Sequence, residues 1–162
     1  MEGGVLLQYA TPAELKVRPA NLFTGTFIGE PPMNVFNAAA MVSAGNVTFI
    51  LDGGAELTYT AGEIAAPLRE LLQKHRRISL GIRPHALHVG KGPINGKIVS
   101  CQWLGDQTHV AVEVAGRTVV SVAHERVQLK SGSNVNLFVA AEDLHLFDSV
   151  TGAAITPGGK LA

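Results

Sequence analysis

From Val35 onward, apolar and polar residues alternate with a period of two, broken at short intervals by Gly, Asn and Asp. A period of two sends successive side chains to opposite faces of a strand. The pattern predicts strands over residues 35–43, 47–51, 56–60, 78–83, 94–104, 108–114, 118–123, 134–140 and 144–147. It is clearest in THVAVEVAGRTVVSV, where Val110, Val112 and Val114 face one way and His109, Ala111 and Glu113 the other. Ala44-Gly45-Asn46, Asp52-Gly53-Gly54 and Gly116 supply the turns. Many short strands at such spacing predict an all-β barrel or sandwich. Closure into a barrel would remove the exposed strand edges.

The first thirty residues follow a different rule. Thr11-Pro12-Ala13-Glu14 is a helix start, with a capping threonine, proline in the first helical position and a glutamate placed to close a capping box. Pro19 keeps that helix short, because it pushes Arg18 out of the helical region. A second short helix is predicted from Pro19 or Ala20 to Ile28, with Phe23 and Phe27 on one face and Gly29 as its C-terminal cap. Glu30-Pro31-Pro32 reads as a boundary. A third helix follows Pro67, its apolar stripe formed by Leu68, Leu71 and Leu72. The stretch from Thr156 to Lys160 reads as a loose tail.

Composition narrows the class. Thirteen Lys+Arg balance thirteen Asp+Glu in 162 residues, so the chain lacks the basic excess of a nucleic-acid binder. Charged residues are only 16%, below the roughly 25% of an average globular protein, which points to permanent partner contacts. Cys101 is the single cysteine, and one thiol forms no internal disulfide, as expected in a reducing compartment. No apolar run reaches the roughly 18 residues of a membrane helix. No basic segment followed by an apolar core opens the chain, so the expectation is a soluble cytosolic protein.

Candidate chemistry is sparse. His85-x-x-His88 supplies two ligands where zinc takes three or four, so it reads as a structural or solvent-facing pair. His109 reads as a surface or interface residue. Ser121, His124 and Glu125 are neighbours in sequence, whereas a catalytic triad is assembled from distant positions. Cys101 reads as a buried small apolar residue. There is no G-x-x-x-x-G-K-[ST] and no G-x-G-x-x-G, so this stretch of chain is not expected to hydrolyse nucleotides. No catalytic, cofactor-binding or metal residues are assigned. Arg83 is a candidate to grip an anion or to form an exposed ion pair at a strand end, the latter worth little. Trp103, beside the turn at Gly105-Asp106, is a candidate partner or ligand anchor, or else a tryptophan capping the core.

Several pieces, in order and spacing, resemble one family. They are GVLLQYATPAEL from Gly4, RPANLF from Arg18, FIGEPPMN from Phe27, LGIRP from Leu80, LGD from Leu104 and LHLFD from Leu144. Together they are similar to the C-terminal part of the ATPase subunits of sugar- and glycerol-phosphate-importing ABC transporters of the maltose-importer type. That part carries a TOBE (transport-associated OB) domain. The resemblance implies a mainly β, OB-type barrel with a few short helices. It implies an ATPase-domain remnant over 1–29, a regulatory domain over 30–156 and a flexible tail over 157–162. The phosphate loop, signature motif and switch histidine would lie in a missing ATPase domain, with ATP and Mg, so that this chain is a C-terminal piece of a longer protein.

The implied role is a non-catalytic regulatory and dimerisation domain at the inner face of the cell membrane. Its implied partners are a second copy, the ATPase domain of its own full-length chain and, indirectly, the transporter's membrane subunits. A second reading makes it a sensor of a small oxyanion, a sugar or a signalling protein. The candidate contact residues are Arg83, His85, Trp103 and Asp106, and His85 stands where such proteins often carry a glutamate.

Overall fold

In the computed structural model, residues 3–155 are described, and the tail expected over 157–162 lies outside the described residues. Nine strands follow the predicted alternation: β1 (Asn34–Ser43), β2 (Asn46–Leu51), β3 (Glu56–Tyr59), β4 (Arg77–Ile82), β5 (His88–Trp103), β6 (Thr108–Val114), β7 (Arg117–Ala123), β8 (Asn134–Phe138) and β9 (Leu144–Asp148). They form two antiparallel sheets, ordered β3-β2-β1-β4-β9 and β7-β6-β5-β8. The inward-facing set includes Phe49, Leu80, Ile82, Ile94, Ile98, Val112, Leu137 and Leu144, all buried in one shared core. The architecture is mainly β and OB-like.

Main-chain pairing does not join the two sheets into one ring; side chains make the closure instead. Asn34, at the start of β1, accepts from Val120 N at 2.8 Å and donates to Val120 O at 2.8 Å. Its amide thus pairs with β7 as another strand's backbone would. At another edge, the buried Tyr59 hydroxyl donates to Val139 O, just beyond β8, at 3.0 Å. The bordering strands are also short, with four residues in β3 and five each in β8 and β9, which limits the edge left for aggregation.

Two expectations need correction. The fifth strand begins at His88 instead of residue 94, running through Gly90, Gly92 and Pro93. Its register against β8 shifts between Val89 and Ile94, so the glycines mark an irregularity inside a strand and not a loop before one. The second helix, α2, spans Leu22–Phe27. It starts after Asn21, whose Oδ1 accepts from Thr24 N at 2.8 Å and so fixes the first helical residue at Leu22 instead of Pro19 or Ala20. The first helix, α1 (Pro12–Val17), has the expected capping box between Thr11 and Glu14, and α3 spans Ala66–Lys74.

Helix α2 lies close on β4 because two glycines allow it. A Cβ on Gly81 would run into Met33 Sδ and stand 3.0 Å from Phe147 Cε2; one on Gly25 would stand 3.2 Å from Phe147 Cζ. The bend between α2 and β1 passes through Glu30-Pro31-Pro32, as the boundary signal predicts.

Replacing Asn34 with alanine strips both partners from the Val120 main chain in a buried setting. Chemical denaturation should show a loss of about 1–3 kcal/mol; a change within experimental error would show that the amide does not close this edge.

Candidate functional site

Arg83 follows β4 directly and is only 4% exposed. Its Nη1 donates to Gly25 O at 2.9 Å and to Ile28 O at 2.5 Å, and its Nη2 donates to Lys16 O at 2.8 Å. Lys16 and Gly25 lie in the last turns of α1 and α2, where a helix leaves carbonyls without an intrahelical donor. A cation there also meets the negative end of the helix dipole. Arg83 is therefore neither an exposed strand-end ion pair nor a free anion grip: its two terminal nitrogens are committed to the protein's own backbone. The physical reason is the close seat of α2 on the sheet, which brings both helix ends over Arg83 and excludes water.

Pro84–Ala86 forms a single 3₁₀ turn after it. Ser121 Oγ donates to Leu87 O at 2.5 Å, anchoring the turn to β7, so Ser121 serves structure and not nucleophilic chemistry. The turn presents His85 outward, exposed, while Ala86 and Leu87 enter the core. His88 leaves along β5 and packs on Phe138 with ring centroids 5.1 Å apart.

Two cavities share Lys16, Arg83 and His85 as walls. One, of about 340 Å³, is completed by the Gly29–Pro31 link, Gln107 and His124. The other, of about 390 Å³, is completed by Glu142, Asp143 and His145. His124 is positioned by the chain after β7, which Thr108 ties down by donating to Glu125 O at 2.6 Å and accepting from Val127 N at 3.1 Å. His145 pairs with Gly81 across β4 and β9, within one residue of Arg83's strand end. Burial above all, then the charges of Arg83 and His85, pulls His145 down to about 4. His85 is also held below its ordinary value, chiefly by desolvation and then by Lys16, with Asp143 acting in the opposite sense.

Of the four candidate contacts, Arg83 and His85 share this cleft, and Trp103 and Asp106 stand apart from it. Trp103 is 40% exposed at the end of β5 and borders a separate cleft with Cys101, Arg126 and Lys130, so it does not cap the core. Asp106 is exposed on the turn closed by Leu104 N donating to Gln107 O at 2.9 Å. Cys101 is half-buried, its thiol 3.4 Å from Val127 O. His109 is half-buried with Nε2 enclosed and without a hydrogen-bond partner. Lys16, Gln107 and His145 were not singled out as candidates in the sequence, and His124 was weighed only beside Ser121 and Glu125. Only His145 left a signal, a lone polar residue inside the apolar run Leu144-His145-Leu146-Phe147.

Residues 80–147, which run from the second half of β4 through the Arg83 turn and the later strands into β9, match the TOBE domain family. The chain carries a TOBE domain. It is 34% identical to an ABC transporter ATP-binding protein of Sinorhizobium fredii, over 96% of this chain and 40% of that protein. It is 34% identical to the sn-glycerol-3-phosphate import ATP-binding protein UgpC of Ruegeria sp., over 96% of this chain and 41% of that protein. Against UgpC of Escherichia coli it is 33% identical, over 96% of this chain and 42% of that protein. The chain thus spans about two-fifths of the length of these curated relatives, in their C-terminal part. Among solved structures, the cytoplasmic molybdate-binding protein ModG shares the fold, with a TM-score of 0.50 at 15% identity over 70% of this chain and 94% of that one. No described helix of the TOBE chain is long and apolar enough to cross a membrane.

The buried His145 sets a pH dependence. Its folded value lies below the ordinary 6.5, so the unfolded chain takes up the proton first. Stability is then full above about 6.5, falls as pH drops toward about 4, and falls no further from this group below that. In thermal melts across this window, the Tm of the native chain should drop by several degrees more than that of His145→Phe. Parallel curves would contradict the assignment.

Proposed function

We propose that this chain is the regulatory and dimerisation part of the ATP-binding subunit of an ABC importer for sugars, glycerol phosphate or a related solute. Residues 30–156 form the regulatory domain, and residues 1–29 are the end of the ATPase domain. In this reading the chain binds and hydrolyses no nucleotide itself, and ATP and Mg belong to the ATPase body. The complete subunit sits in the cytoplasm against the inner face of the membrane and drives the membrane subunits.

The observation that carries the reading is the Arg83 clamp. One buried guanidinium holds the ends of both α1 and α2 against the OB-like body. A movement of the ATPase body would therefore reach the regulatory domain as a rigid displacement, with no slack linker between them. The family match and the importer relatives support the same reading. Tyr9 at 92% and Phe27 at 71% exposure, with Val5 and Leu6, give the N-terminal segment an uncovered apolar side that an ATPase body would cover.

Sedimentation velocity of the purified chain at micromolar concentration should give a symmetric dimer, at twice the 17.0 kDa chain mass. A monomer throughout that range would contradict the dimerisation role, and saturable ATP binding by the chain would contradict its non-catalytic one.

A further inference from the structure

The chain between β7 and β8 is built like a strand and pairs with none. From Arg126 to Lys130 its residues alternate, with Val127 and Leu129 half-buried and Arg126, Gln128 and Lys130 exposed. A period of two marks extended backbone. Strand pairing between β5 and β8 ends at Lys97 and Asn134, and Gly132 N donating to Ile98 O at 2.8 Å is the last main-chain bond before the two stretches part. Val127 spends its main-chain groups on the β5–β6 hairpin: its N donates to Thr108 Oγ1 at 3.1 Å and its O lies 3.4 Å from Cys101 Sγ. In extended backbone the next residue's groups point to the opposite edge. Those of Gln128 have no partner among the described residues. Beside this segment, Trp103, Cys101, Val127 and Leu129 line the cleft of about 520 Å³, with Arg126 and Lys130 as its charged walls and no carboxylate. Neither cation forms an ion pair with a described residue.

We propose that Arg126–Lys130 is a docking edge for an extended acidic segment of another protein, which pairs its backbone with Gln128 and lays apolar side chains over the Trp103 cleft. Unpaired extended backbone is a template for one more strand. The charges decide which strand. A second copy of this segment, laid antiparallel and centred on Gln128, would set Arg126 of each directly against Lys130 of the other. Like charges directly opposite destabilise a strand pair. A segment with a carboxylate at each of those two places turns the repulsion into attraction. Alternation fixes the rest. With acids opposite Arg126 and Lys130, the two residues between them and the centre share the face of Val127 and Leu129, which border the cleft. The segment therefore reads acidic, apolar, any residue, apolar, acidic. Trp103, 40% exposed, is the aromatic anchor that this apolar pair covers. The edge lies apart from the Arg83 cleft, and its role does not depend on the dimer.

Trp103 is the only tryptophan of the chain, so its fluorescence reports this cleft directly. The probe is a blocked peptide of sequence SEVTFES, set beside its basic counterpart SKVTFKS and an oligothymidylate. Titration at low salt should give a saturable change in emission with the acidic peptide. It should bind at least about tenfold more tightly than the basic one, and more weakly as salt screens the charges. The double variant Arg126→Glu/Lys130→Glu changes only exposed side chains, and its unchanged melting curve serves as the folding control. It should reverse the preference, taking the basic peptide about tenfold more tightly than the acidic one. Hydrogen exchange gives the readout that charge attraction alone would not move: the Gln128 amide should slow by at least about tenfold at saturating peptide. No saturable binding, equal affinity for the two peptides, an unprotected Gln128 amide or preference for the oligothymidylate would overturn the proposal. So would an emission change driven by chain concentration alone, which places a second copy in the cleft.

Discussion

A positive charge that cannot be neutralised, held almost out of water, is the constraint around which this molecule is arranged. Arg83 must stay protonated, although burial pulls its pKa down from the ordinary value. Three carbonyls at helix ends satisfy its terminal nitrogens. Lysine would not serve in its place, because a single ammonium lacks the planar fork that reaches carbonyls on two separate helices. The same bonds also satisfy helix ends that six-residue helices would otherwise leave bare. Helices this short are marginal by themselves, so their order depends on what they dock against.

Much of the fold was legible because its core obeys one simple period. Val110, Val112 and Val114 read as an inward row and are all buried. The capping box at Thr11 and Glu14 was equally direct, since both partners lie within four residues. What stayed hidden involves contacts between distant positions. The Asn34 bridge to Val120 spans 86 residues, and the Arg83 bond to Lys16 spans 67. An arginine at a strand end looks the same in sequence whether it meets water or two helix ends. The start of β5 was hidden for a different reason: Gly90, Gly92 and Pro93 signal a turn, yet Gly92 is there because Leu137 O leaves no space for a Cβ. The cleft was half legible. The ordered motif around Arg83 and His85 drew attention to the right turn, whereas Lys16, His124 and His145 arrive from three other elements that only folding brings together.

The clamp gives structure and function a common centre. Under the proposed role the domain has to register what its neighbours do, and Arg83 ties both short helices to the end of β4, beside the packing of Gly25 on Phe147 and Met33. The histidines on either side make that junction responsive to protonation, because each added proton sits near a cation already present.

The central claim is that Arg83 holds α1 and α2 to the body. Native-state hydrogen exchange on Arg83→Lys tests it most directly, read at the amides of Arg18, Gly25 and Ile28 against those of β4 and β6. The account predicts that protection across α1 and α2 falls by at least about tenfold while the core strands keep theirs. Unchanged protection in the two helices would contradict it.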